Sequence, residues 1–134
     1  TRGVPEGGVD AGSRFSLPST PLALVGSARL VDGVLRLADE LDGQSGAAYL
    51  VPAVAVTSTS RTDARFTFRI TAAGPRRSDG LVFMWQNDPR GTGARGMAGS
   101  GLGYARIAPS LAVELDIHAQ TSGADPSDNH VAVL

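Results

Sequence analysis

A chain of 134 residues with 42% hydrophobic content is sized for one domain that can bury a core. Its formal net charge is −1, its pI is near 6.0, and its twelve basic residues are all arginines scattered along the chain, which excludes the basic block that a nucleic-acid partner requires. The absence of cysteine removes disulfides and thiolate metal ligands, and the apolar runs are too short for a membrane span. The chain opens on Thr1 without a signal peptide, so an upstream segment is expected to have been removed.

In chain order, residues 1–14 (TRGVPEGGVDAGSR) carry too few apolar groups to offset the entropy of ordering, and read as a flexible tail or linker. The domain is expected to occupy 15–134. From Phe15 onward, apolar runs alternate with turn residues: LALVGSARLV, VLRLA, AAYLVPAVAV, ARFTFRI, GLVFMW, SLAVELDI and HVAVL. Asp32-Gly33 signals a hairpin before Val34, while Phe66, Phe68 and Ile70 alternate with polar residues at a period of two. Seventeen glycines and eight prolines punctuate the gaps, and no segment sustains a helical period. An all-β sandwich is the expected class. Phe83 and Trp85 share a strand face and read as core. The Gly-rich stretch from Asn87 to Tyr104 follows neither the strand-to-helix phosphate motifs nor a strand pattern, and stands as either a binding loop or a plain connection.

Near the end of the chain, Glu114 and Asp116 lie two apart on one strand, so both side chains emerge on the same face about 7 Å apart at the backbone. Two such carboxylates repel unless a cation lies between them, and their oxygens suit calcium, magnesium or manganese. Asp125 offers a third carboxylate, and His130 a nitrogen ligand that manganese or zinc accepts. The set reads as a transition metal beside a calcium, with Asp116 and Asp125 shared. The intervening loop adds backbone carbonyls and the Gln120 amide. The same residues also read as a strand with outward acids, a polar turn at Asp125-Pro126 and a solvated His130. An E-L-D-I run followed by glutamate would resemble the retaining β-glucanases, whose paired carboxyls stand about 5–5.5 Å apart. Here His118 occupies the position of the acid/base, which disfavours a glycoside hydrolase on a related jelly roll.

Three motifs in order resemble the L-type (legume-type) lectin family, in particular its bacterial lectin-like members. SDGLVFMWQND at 78–88 is similar to the family strand beginning Ala-Asp-Gly, GSGLGYARI at 99–107 to its Gly-Gly-x-Leu-Gly loop, and SLAVELDI with DPSDNHVAV to its metal-binding strand and loop. The resemblance implies a concanavalin A-like jelly roll of antiparallel sheets, with adjacent manganese and calcium ions ordering the sugar loops. It implies Glu114, Asp116, Asp125 and His130 as transition-metal ligands. It implies calcium held by Asp116, Asp125, the His118 carbonyl and the Gln120 side chain. Sugar would meet the Asp79 carboxylate, the Gly99 N–H and the Gln120 amide, with a cis peptide expected at Ser78-Asp79. Without the resemblance, Asp79 reads as a turn residue before Gly80 and Gly99 as a spacer.

One departure stands at position 120, where the family places Asn: the glutamine amide lies one methylene further out, which displaces both its calcium and its sugar contact. Family domains are considerably longer than this chain, so the sandwich is expected to be incomplete at the C-terminus. The missing C-terminal segment or a second chain would complete it, and a homo-oligomer is left open. The expected activity is non-catalytic, metal-dependent glycan binding in an extracellular or cell-surface setting. The alternative is a structural or adhesive sandwich without sugar affinity.

Overall fold

Among the described residues, which in this computed structural model are 21–71, 78–119 and 125–134, the regular structure is seven antiparallel strands and two 3-10 turns. The expected tail at 1–14 and Gln120 lie outside the described residues. Strand β1 (Leu22–Gly26) pairs with β4 (Gly46–Leu50), and β2 (Arg29–Val31) pairs with β3 (Val34–Arg36). Strands β5 (Gly80–Gln86), β6 (Ser110–Asp116) and β7 (His130–Val133) form a three-stranded sheet with β6 in the middle. The chain is all-β, as the short alternating runs imply. No described helix is long and apolar enough to cross a membrane.

The run LALVGSARLV divides into two strands. Between them the Ser27 N–H donates to the Ser45 carbonyl at 3.2 Å, which turns the chain away from β4. The β2–β3 hairpin turns at Asp32-Gly33, whose φ values of 49° and 76° are the two positive angles a tight type I′ turn needs. The run ARFTFRI differs from expectation. Despite its period of two, residues 53–71 form no strand, and AAYLVPAVAV is a strand only to Leu50. Pro52 brings no N–H to a ladder, and alternation alone makes a strand only where a neighbour accepts its backbone bonds. Phe66 instead leaves the backbone irregular and stacks on Phe83, with ring centroids 5.3 Å apart.

The register of the three-stranded sheet sorts its side chains into two unlike faces. Leu81, Phe83, Trp85, Leu111, Val113, Leu115, Val131 and Val133 share one face, which is apolar throughout. Phe83 and Trp85 meet edge to face at 4.7 Å, while Leu111, Val131 and Val133 are 50%, 65% and 68% exposed. The opposite face carries Gly80, Val82, Ala112, Glu114, Asp116, His130 and Ala132. There Ala112 is buried, as is Asp116. Ala94 and Ile107, in the segment between β5 and β6, are the other buried apolar residues among those described.

Candidate functional site

The Gly-rich stretch between β5 and β6 is an ordered unit held by side-chain to backbone bonds. Asp88 is buried and accepts four bonds: from Arg90 Nε at 2.7 Å, Arg90 Nη2 at 2.8 Å, the Arg90 N–H at 2.9 Å and the Ala108 N–H at 3.0 Å. The Arg90 guanidinium, followed by those backbone N–H groups, holds the Asp88 carboxyl well below the usual carboxylate range. Arg90 also donates to the carbonyls of Arg95 at 3.1 Å and Arg106 at 2.9 Å, so one side chain ties together both ends of the stretch. Gln86 closes the start of the turn, accepting from the Asp88 N–H at 2.6 Å and donating to the Gly91 carbonyl at 3.0 Å. The first 3-10 turn, Gly91–Gly93, packs against β1 and β4, and the Tyr49 hydroxyl donates to the Ala94 carbonyl at 2.7 Å.

Beyond Ala94 the stretch folds back on itself. The Gly96 N–H donates to the Gly103 carbonyl at 2.9 Å, and the Gly103 N–H donates to the Met97 carbonyl at 2.7 Å. Within this loop lies the second 3-10 turn, Gly99–Gly101, closed by the Leu102 N–H donating to the Gly99 carbonyl at 2.8 Å. Leu102 reaches the β5 end of the sheet. A Cβ built on Gly80 would lie 3.2 Å from Leu102 Cδ2 and only 2.4 Å from the Leu115 carbonyl oxygen, so a glycine is what lets β5, β6 and the loop converge beside Asp79. Asp79 continues the ladder, its carbonyl accepting from the Ile117 N–H at 3.0 Å. The cis peptides among the described residues are Val51-Pro52 and Ala108-Pro109. Ser78-Asp79 is not one of them; a non-prolyl bond defaults to trans.

The register then places the carboxylates. Gly80, Asp116 and His130 lie in one row across β5, β6 and β7, and Glu114 lies two residues back on the same face, between Val82 and Ala132. Asp116 is buried, and its Oδ1 accepts from the His118 N–H at 2.7 Å, which turns the chain at the end of β6. Asp125 returns to this end, with its Oδ1 3.9 Å from His130 Nε2, while His130 Nδ1 lies 3.1 Å from the Ser127 carbonyl. The elements bearing Glu114, Asp116, Asp125 and His130 thus converge. The His118 side chain is exposed beyond them. Among the described residues, however, no three acidic or imidazole side chains are gathered closely enough to hold an ion. The Glu114 carboxylate is engaged elsewhere: its Oε1 accepts from the Tyr104 hydroxyl at 2.5 Å. Burial, followed by the bond to Glu114 and its charge, pushes the Tyr104 phenol up to about 12.

Tyr104 and the longer contacts of Asp88 and Arg90 escape a reading by spacing, because they reach a backbone group or a strand further along the chain, whereas the Asp88–Arg90 pair itself is only two residues apart. The one local signal is Asn87-Asp88-Pro89, a turn-initiating Asp before proline.

A protein of Oryza sativa subsp. japonica, named as an L-type lectin-domain containing receptor kinase S.7, is 32% identical over 139 residues, an alignment that covers 84% of this chain and 20% of that protein. The chain therefore spans about a fifth of that relative's length. No solved structure matches. The model of the legume lectin domain matches residues 13–134, and so runs through β5, the Gly-rich loop and the β6–β7 pair alike. A match over nearly the whole chain, through every segment that builds this end of the sheet, shows that the chain belongs to the legume lectin domain family.

Proposed function

We propose that this domain binds glycans, without chemical change to them, at a site that bound metal ions hold in shape. The observation that carries the reading is the row Gly80–Asp116–His130 with Glu114 on the same face and Asp125 at its end, directly beside Asp79. The donor chemistry fits: carboxylate oxygens and one imidazole, with no thiolate, suit manganese or a similar ion together with calcium. Glu114, Asp116, Asp125 and His130 would hold the transition metal. Calcium would take Asp116, Asp125, the His118 carbonyl and Gln120. When bound, the ions offset the mutual repulsion of the carboxylates and fix the loop after β6.

Sugar hydroxyls would donate to the Asp79 carboxylate and accept from the Gly99 N–H, with the Gln120 amide adding a third contact. Asp79 is anchored to β6 through its carbonyl, and Gly99 to its loop through Leu102, so both positions are built into ordered backbone. A non-catalytic role accords with β6 itself. Its acids are Glu114 and Asp116, and position 118, where a retaining glycosidase needs its second glutamate, is histidine. A binding module of this kind belongs outside the cell or on its surface.

The test is metal content and glycan binding measured together. The purified full domain should retain manganese and calcium by elemental analysis, Asp125→Ala should lose both, and chelator should abolish binding on a glycan array. Unchanged metal content in Asp125→Ala defeats the site assignment. Ions retained without any glycan bound would make the domain an adhesive sandwich instead, the outcome that glutamine at position 120 favours.

A further inference from the structure

The Asp88–Arg90 pair does more than close a turn, because the guanidinium reaches past it to both ends of the loop that carries Gly99. Arg90 forks onto Asp88 through Nε and Nη2, and donates from Nη1 to the Arg95 carbonyl at 3.1 Å and from Nη2 to the Arg106 carbonyl at 2.9 Å. Those two carbonyls bracket residues 96–105, and Gly99 is exposed within the bracket. Asp88 is itself buried, and its Oδ2 accepts from the Ala108 N–H at 3.0 Å, so the far end of the bracket is held twice. The backbone there needs a hold. Arg106 has a φ of 73° and Leu102 one of 45°, angles that a side chain rarely adopts unless its surroundings impose them. Leu102 donates its N–H to the Gly99 carbonyl and brings its Cδ2 close to Gly80, next to Asp79. Holding the ends of this loop thus sets where Gly99 stands relative to Asp79.

We propose that Arg90 is a positioning residue for glycan binding: anchored on Asp88, it holds both ends of the 96–105 loop so that Gly99 meets a sugar hydroxyl without an ordering step on binding. This rests on the Asp79 and Gly99 contacts of the glycan-binding reading and asks nothing of a bound ion. A loop that is open part of the time binds with an affinity reduced by its closed fraction. A hydrogen bond to a charged group is strong enough that its loss shifts such an opening equilibrium roughly 10- to 100-fold.

The experiment takes the full domain as wild type, Arg90→Lys, Tyr49→Phe and Asp79→Asn, and reads each by amide hydrogen exchange and on an array of immobilised mono- and oligosaccharides. Arg90→Lys keeps the charge but not the planar fork that serves a carboxylate and two carbonyls at once. Tyr49→Phe removes a bond to the Ala94 carbonyl, just outside the bracket, and so is the control for a general loosening of the Gly-rich stretch. In Arg90→Lys the amides of Gly96, Leu102 and Gly103 should exchange roughly 10- to 100-fold faster while those of β5 and β6 keep their rates. Its affinity for the arrayed glycans should fall about threefold or more, and that of Tyr49→Phe should stay at the wild-type value. Faster loop exchange in Arg90→Lys without weaker glycan binding would overturn the proposal. So would an equal loss of binding in Tyr49→Phe, or faster exchange spread evenly over loop and sheet. If Asp79→Asn loses binding while Arg90→Lys keeps it, the glycan reading stands and only the role of Arg90 falls. A wild type that binds no arrayed glycan, or an Asp79→Asn that binds as the wild type does, defeats that reading and this inference with it.

Discussion

Replacing Gly80 by alanine tests whether the end of the sheet is built by close approach of three backbone segments. The added Cβ would stand 2.4 Å from the Leu115 carbonyl oxygen, 3.1 Å from Asp116 Cα and 3.2 Å from Leu102 Cδ2. Carbon and carbonyl oxygen make contact at roughly 3.3 Å, so β5 would have to retreat from β6 by about 1 Å. The φ of +154° adds about 1–3 kcal/mol of strain for a side chain. Opening the ladder at Gly80–Asp116 weakens one or two hydrogen bonds at about 0.5–1.5 kcal/mol each. Together these give a loss of about 3 kcal/mol. Gly33→Ala is the internal comparison: at φ +76° with nothing within 4 Å, it carries only left-handed strain, about 1–2 kcal/mol. Urea unfolding followed by the fluorescence of Trp85, the single tryptophan, reads both. With a slope of about 2 kcal/mol per molar, the midpoint should fall by about 1.5 M in Gly80→Ala and by about 0.5–1 M in Gly33→Ala. Equal shifts in the two variants would refute the close-approach account, because they would reduce Gly80 to a matter of backbone angle.

Two further outcomes follow from the Gly-rich stretch. The Asp88 carboxyl is held below its ordinary 3.8 in the folded chain, so the stability it contributes is present above that value and is lost as pH falls through and below it. Urea midpoints taken across pH 2–6 should therefore fall steeply below about pH 4 in the wild type, and Asp88→Asn should flatten that slope; a parallel slope in the variant counts against the clamp. Tyr49→Phe leaves the carbonyl of the fully buried Ala94 without its side-chain donor and should lower stability by about 1 kcal/mol, measured by the same unfolding. No measurable change would show that the carbonyl finds another partner.

Much of β5, β6 and β7 was legible because each strand covers one face with apolar residues. A run such as LAVELDI can be parsed by parity alone, which puts Glu114 and Asp116 together. The Asp32-Gly33 hairpin was legible for a different reason, since few dipeptides tolerate two positive φ angles. ARFTFRI shows the limit of parity. Its alternation is as regular as that of β6, but a strand is defined by its partner, and Phe66, 51% exposed, spends its ring on Phe83 instead. The site was half legible. That His130 lies opposite Asp116 depends on the β6–β7 register, which no spacing in sequence states. The Asn87–Tyr104 stretch was harder still, because bonds from Asp88, Arg90 and Tyr104 to distant backbone or carboxylate groups leave no period to detect.

Fold and site also share one constraint on β6. Val113 and Leu115 serve the apolar face, and Glu114 and Asp116 alternate with them to serve the polar one. A slip of a single residue against β5 would exchange the two sets. It would drive both carboxylates against Leu81 and Phe83, and present Val113 and Leu115 to Tyr104 and His130. Such a slip would also take Asp116 out of line with His130 and Glu114 away from Tyr104. It is therefore the single pairing of β6 that brings Glu114 under the Tyr104 hydroxyl and Asp116 into line with His130.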